Sequence, residues 1–375
     1  MRIAIVSRGI PTPQAPMNGI FEWDQARALR DAGHDVRFLV LDYRRVWDRP
    51  MGWNQTEHEG IRVFSFSLPT GMYRHLLPLL QCRLARLYDR MEAVCGPVDV
   101  VHAHFYFMGA LAAGIKRRHP DLPLVLTEHS SKLVHPLPQI SRLDRKVANT
   151  AYAAADGLVC VSPQYAATLA ANFQRTFLPV PNVVDLEAFR YEPAKSHTSF
   201  RFVTTGLLIE RKRMRLLLEA FAQCPIPSAV LDIIGDGPQK ALLLSDIDCL
   251  HLRGRVVLHG MLQRSEMAAI YRKADAFVLL SSSETFGVAY IEAMAMGLPV
   301  VATACGGPEG FVRPEDGLVV PVDNLQESVE AMCRIYRHRA DYDSQRIAAI
   351  CRERFSPQAV ARQLTDYYQD LCSRK

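Results

Sequence analysis

Short apolar runs alternate with stretches of helical periodicity along the whole chain, which is the pattern of parallel strands covered by helices. The first series predicts strands at 2–7, 35–41, 61–66, 98–103, 122–127, 157–161 and 176–180, with amphipathic helices at 20–32, 73–94, 106–118, 140–154 and 163–172. A second series of strands at 200–205, 229–234, 255–259, 275–280 and 298–302 has its own helices between. Pro179, Pro181, Pro193 and the polar Lys195-Ser196-His197-Thr198-Ser199 separate the two series, as a domain boundary does. At 375 residues the chain is too long for one core, since single cores rarely exceed roughly 250–300 residues. The expectation is an α/β protein of two Rossmann-like doubly wound domains, 1–190 and 191–355, facing across a cleft, with a terminal helix in 356–375.

Composition narrows the class. Apolar residues at 49% and charged residues at 22% exclude a disordered or fibrous chain. The net charge of +5 sits entirely in residues 1–190, which hold 22 basic and 17 acidic side chains. That bias favours an anionic partner or surface and is too weak to imply nucleic acid. Nine scattered cysteines without C-x-x-C spacing fit a reducing cytoplasm, with neither zinc nor a disulfide framework. Met1 to Val6 is too short for a signal peptide core and reads as a first strand. Without any run of 18 apolar residues, membrane contact is expected to be peripheral.

In doubly wound sheets, ligands bind beyond the carboxyl ends of the strands. Those positions hold Gly9 to Gly19, His102-Ala103-His104, Glu128-His129-Ser130, Gly206, Gly235-Asp236-Gly237, Ser281 to Gly287 and Gly306-Gly307. Glycine lets a ligand approach the backbone, while His and Glu supply directed hydrogen bonds. From Ser281 to Pro299 the sequence reads loop, helix, then a Gly-Leu-Pro stop. Gly287 falls at the N-cap and offers no side-chain oxygen, so the first helix amides are left for an anion, a diphosphate being the natural guest. Glu284 in the loop and Glu292 on the helix suit the hydroxyls of a sugar or ribose. Their alternative is a solvated loop acid and a helix-surface charge.

Glu-x7-Glu with Phe-Gly between, continued by Ala-Met-Ala-x-Gly-Leu-Pro-Val-Val-Ala-Thr, closely resembles the family 4 (group 1) retaining glycosyltransferases. Gly235-Asp236-Gly237-Pro238, Gly306-Gly307-Pro308-Glu309, Pro181-Asn182-Val183-Val184-Asp185 and Ala28-Leu29 to Gly33-His34 extend the resemblance over nearly the whole chain. It implies the GT-B fold, with an acceptor-binding first domain, a nucleotide-sugar-binding second domain and a terminal helix crossing back to the first. It also implies catalytic roles for Glu284, beside the donor sugar, and for His129, near the reacting centre. Glu292 would bind ribose, the amides of Phe286, Gly287 and Val288 would hold sugar hydroxyls and phosphate, and Gly206, Arg211 and Lys212 would grip the diphosphate. Leu207 departs from the Arg found there in many members, with Arg211 as its substitute. Gly235 joins the donor-binding residues, and Gly19 resembles the glycine loop that approaches phosphate and acceptor.

The resemblance implies transfer from a nucleotide-diphosphate sugar to a glycan or lipid-linked acceptor in envelope or exopolysaccharide synthesis; no cofactor and no metal are expected. No second carboxylate is placed as a nucleophile, and the resemblance implies attack on the face the leaving group departs from. Asp246-Ile247-Asp248 and Asp341-Tyr342-Asp343 have metal-site spacing but read as solvated helical faces. A GT-B-fold sugar-nucleotide epimerase and a noncatalytic nucleotide-sugar-binding protein are the rival readings. In the helix at 73–94, Leu76, Leu80, Leu84, Leu87 and Met91 form a stripe flanked by Arg83, Arg86 and Arg90. Such a stripe ordinarily packs on its own sheet; with the charge bias it also suggests an anionic surface at the inner face of the plasma membrane.

Overall fold

The computed structural model describes the chain except residues 13–14, 16, 43–50, 68–75, 194–198, 227 and 375. The polar linker at 195–198 and the start of the 73–94 helix at 73–75 lie outside the described residues. The chain divides into two compact units, Met1–Val183 with Pro357–Lys375, and Val184–Ser356. The boundary expected at 190/191 therefore lies earlier. The Val184 amide donates to the Phe355 carbonyl at 2.9 Å, and Phe189 packs against Tyr271 with ring centroids 5.7 Å apart. These contacts draw 184–190 into the second unit.

The first unit holds strands β1 (Arg2–Ser7), β2 (Asp35–Asp42), β3 (Gly52–His58), β4 (Ile61–Ser67), β5 (Val100–His104), β6 (Leu124–Glu128), β7 (Gly157–Cys160) and β8 (Leu178–Pro179). They form one sheet in the order β3-β4-β2-β1-β5-β6-β7-β8. All pairs are parallel except β3 with β4. The sequence reading lacked β3 because Asn54-Gln55-Thr56-Glu57-His58 has no apolar run; the strand is an edge hairpin, turned by Glu59 and Gly60 at φ 49° and 75°. The last strand is shorter than 176–180, since Pro179 and Pro181 cannot donate to a ladder. Ile3, Ile5, Phe38, Val100, Val125 and Val159 build the core with Trp23 and Leu29 of the helix Ile20–Asp31. Val360, Leu364, Tyr368 and Leu371 of the helix Pro357–Ser373 complete it.

The second unit holds β9 (Arg201–Thr205), β10 (Val230–Ile234), β11 (Val256–Gly260), β12 (Ala276–Leu279), β13 (Val300–Thr303) and β14 (Gly317–Val320). The order is β11-β10-β9-β12-β13-β14, parallel throughout. The short β14 is an addition to the strands read from sequence. Chain order reverses between β9 and β12, and ligands of open α/β sheets bind at such a reversal.

Within the helix Leu77–Cys95, Leu80, Leu84, Leu87 and Met91 are buried, so that stripe is consumed by the protein's own packing. Arg83 lies over the Phe66 ring at 5.4 Å and Arg90 over Trp53 at 4.8 Å. Asp246 pairs with Arg215 at 2.5 Å, whereas Asp343 caps the helix that follows it, so the second acidic pair lies between helices rather than on one. Among the described residues no group of three or more His, Cys, Asp or Glu is placed to hold a metal ion, and no helix is long and apolar enough to cross a membrane.

Candidate functional site

The reversal in the second unit places Gly206 after β9 and the Ser281–Gly287 loop after β12, beside each other. Gly235, after β10, has φ 140°, and a Cβ there would lie 1.9 Å from the Gly206 carbonyl oxygen. Only glycine permits that approach, so the two turns interlock. The chain then makes a single helical turn at Glu210–Lys212. Arg213, at φ 50°, closes it and is held outward by Asp323 at 2.6 Å. Arg211 and Lys212 are thereby turned the other way, toward the loop after β12.

There they meet Glu284. Lys212 Nζ donates to Glu284 Oε1 at 2.5 Å, Ser281 Oγ donates to the same oxygen at 2.7 Å, and Arg211 Nη1 lies 3.6 Å from Oε2. Arg211 Nη1 also donates to the Ser283 carbonyl at 2.8 Å. Glu284 is 7% exposed. Burial alone would raise its pKa, but Lys212 and Arg211 outweigh it and hold the carboxyl below its usual range. The loop is braced from behind: the Glu284 amide donates to Cys305 O at 3.0 Å, and a Cβ on Gly307 would lie 2.4 Å from Phe286 O.

Gly287 is the N-cap of the helix Val288–Ala295, at φ 97° and without a side-chain cap. The first amides of a helix lack intrahelical partners, and Gly287 has no side chain to cap them. Phe286 contributes only main chain, because its ring is 3% exposed and packs against Phe311 and Phe355. Glu292 is on the same helix, buried, and its charge is among the causes that raise the Tyr271 hydroxyl pKa after burial itself. The second unit thus brings together Gly206, Arg211, Lys212, Gly235 and Glu284, with Gly287, Val288 and Glu292 on the helix that follows their loop. Ser281, the second donor to Glu284, lies in the strand-end segment singled out by sequence, which assigns it no role of its own.

Gly19 and His129 belong to the first unit. Gly19 caps the helix Ile20–Asp31 at φ 69°, and a Cβ there would lie 2.1 Å from Gly9 O. Nearby Glu22 is 1% exposed and accepts from Ser7 Oγ at 3.2 Å; burial raises its pKa. His129 follows β6 on a loop tied by Glu128, which accepts from the amides of His129 and Ser130 at 3.0 and 2.9 Å and from Tyr152 Oη at 2.9 Å. Burial pushes the Glu128 carboxyl up to about 7 against those bonds. His129 lies between Phe21 and Phe105, at centroid distances of 6.2 and 5.0 Å, and burial with the nearby Arg8 lowers it to about 3. Arg8 and Glu22 were not singled out by sequence, because neither belongs to a recognisable motif.

Two family models together cover most of the chain: "Glycosyltransferase Family 4" matches residues 23–188, and "Glycosyl transferases group 1" matches residues 185–352. The chain is a group 1 glycosyltransferase. A Bacillus subtilis protein named for a glycosyltransferase of teichuronic acid biosynthesis is 27% identical over 366 residues, 90% of each chain. Other curated relatives are longer, and this glycosyltransferase spans 54% and 60% of two of them. Its fold is the two-domain α/β GT-B fold. Sucrose-phosphate synthase from Thermosynechococcus elongatus superposes with a TM-score of 0.81 at 22% identity over 100% of both chains. Anabaena HepE in complex with UDP and glucose gives 0.75 at 20% identity, over 99% of this glycosyltransferase and 100% of that chain.

Proposed function

We propose that this glycosyltransferase moves a sugar from a nucleoside-diphosphate sugar to a hydroxyl acceptor, with retention of configuration, by way of the second unit's Lys212–Arg211–Glu284 cluster. The observation that carries this reading is two cations converging on one buried carboxylate beside a helix N-terminus that lacks a side-chain cap. A diphosphate matches both features, and departure of the leaving group builds negative charge where Lys212, Arg211 and the amides of Phe286, Gly287 and Val288 stabilise it. Glu292 binds the ribose hydroxyls, Glu284 and His129 act at the donor sugar, and Gly19 admits acceptor or phosphate. The leaving phosphate takes the acceptor proton. The UDP named with HepE supports a nucleotide donor, and the relative named for teichuronic acid biosynthesis supports a glycan acceptor.

The test is a panel of UDP-, GDP- and ADP-sugars with candidate acceptors, scored by nucleoside diphosphate release and by the anomeric configuration of the product. Release that requires an acceptor and yields the donor's own anomer is expected. Acceptor-independent turnover would indicate an epimerase, and an inverted anomer would remove retention.

A further inference from the structure

The first unit contains three buried imidazoles in a row, none of which the preceding site geometry explains. His102 and His104 stack with centroids 4.5 Å apart, and the His104 and His129 rings meet edge to edge, 21° from parallel, with centroids 5.2 Å apart. His102 is fully satisfied, with Nδ1 2.5 Å from Tyr368 Oη and Nε2 2.7 Å from Thr127 Oγ1. The other two share a single bond between His104 Nδ1 and His129 Nε2, 3.0 Å apart. Among the described residues His104 Nε2 and His129 Nδ1 are buried without hydrogen-bond partners.

Burial first, then the neighbouring histidines and Arg8, keep these rings neutral. A neutral imidazole carries one N–H and one lone pair, so the shared bond leaves one unpartnered N–H and one unpartnered lone pair. The proton pattern has two solutions. An orphaned buried N–H is rarer than an under-satisfied acceptor. His104 is 0% exposed, whereas His129 retains 7%. The N–H therefore belongs on His129, which ends the row and keeps some surface although its Nδ1 is itself covered, and the lone pair on fully buried His104. The Arg8 guanidinium does not compete for that nitrogen, being over the Phe105 ring at 4.8 Å.

We propose that His104 is a positioning residue that donates from Nδ1 to His129 Nε2 and so fixes His129 as the Nδ1–H tautomer, a neutral hydrogen-bond donor toward a substrate oxygen. This rests on the proposed place of His129 at the donor sugar, but the tautomer itself does not. It excludes His129 as a general base, since its lone pair is already occupied. A free histidine side chain prefers the Nε2–H form, so the imposed tautomer leaves a distinct signature.

Long-range 1H–15N correlation spectra of the full-length chain labelled with 15N-histidine test it, with His129 assigned through His129→Gln. Protonated Nδ1 and bare Nε2 on His129 are expected in the unsubstituted protein; a proton on Nε2 overturns the proposal. In His104→Phe the His129 ring should revert to the Nε2–H form, and kcat should fall roughly ten- to hundredfold with the donor KM unchanged. His104→Gln keeps an N–H donor and should restore both. Equal kcat in all three proteins overturns the positioning role. Absence of nucleotide-sugar turnover in the unsubstituted protein instead removes the donor reading, leaving the tautomer decided by the spectra.

Discussion

Lys212 and Glu284 form a 2.5 Å ion pair whose side chains are only 13% and 8% exposed. Removing one partner of a buried pair strands the other, at roughly 3–5 kcal/mol. Lys212→Met is therefore expected to lower urea stability by a few kcal/mol on that basis. The double variant Lys212→Met/Glu284→Gln should recover most of the loss. Calorimetry should find nucleoside diphosphate binding weak in both, which separates the folding role of Lys212 from its ligand role.

Glu284→Gln alone frees Lys212 without removing it. Nucleotide affinity should be unchanged or higher while kcat drops by at least an order of magnitude, as expected for loss of an electrostatic partner at the reacting centre. A variant with ordinary turnover would place Glu284 outside that centre.

For Arg211→Ala and Glu292→Ala the loss should appear in binding. A charge-assisted hydrogen bond contributes about 1.5–3 kcal/mol, so titration should show nucleotide dissociation constants raised roughly ten- to hundredfold. Unaltered affinity in both would show that the diphosphate and ribose sit elsewhere.

The glycine interlock makes a sharper contrast. Gly235→Ala drives a methyl to 1.9 Å from the Gly206 carbonyl, whereas a Cβ on Gly254 meets nothing within 4 Å and faces only its φ of 80°. Gly254→Ala should cost on the order of 1 kcal/mol. Gly235→Ala should cost more and also weaken nucleotide binding, because its strain is transmitted to the strand end that carries Arg211 and Lys212.

Acid should destabilise the protein through its histidines. His102 and His129 fall from 6.5 to about 3 on folding, and His104 is lowered too, all chiefly by burial. The unfolded chain therefore binds more protons between about 3 and 6.5, and stability complete above that window is lost as pH falls through it. Glu128, raised to about 7 from 4.5, has the opposite sign: its contribution is present below 4.5 and lost as pH rises through 7. Glu128→Gln removes that opposing contribution. Urea midpoints between pH 5 and 6.5 should then show a steeper acid loss, by up to about 1.4 kcal/mol per pH unit.

Much of this fold is legible in sequence because fully buried parallel strands such as β7 and β12 are written as unbroken apolar runs. The edge strand β3 is not, since half its surface faces water and its residues are polar. At the site, Gly287 and Glu284 stand out because loop and helix are contiguous in the chain. The pairing of Lys212 with Glu284 does not, because it depends on which strands become neighbours at the reversal between β9 and β12. Likewise His129 is visible as a strand-end histidine, while its bond to His104 comes from the adjacency of β5 and β6.

The helix Pro357–Ser373 packs on the helix Ile20–Asp31 and places Tyr368 against His102. During synthesis, the amino-terminal residues leave the ribosome long before the segment that seals their core. The second unit, contiguous at Val184–Ser356, has all of its strands and helices once Ser356 has emerged. Vectorial translation thus inverts the usual order, and the unit made first is the one completed last.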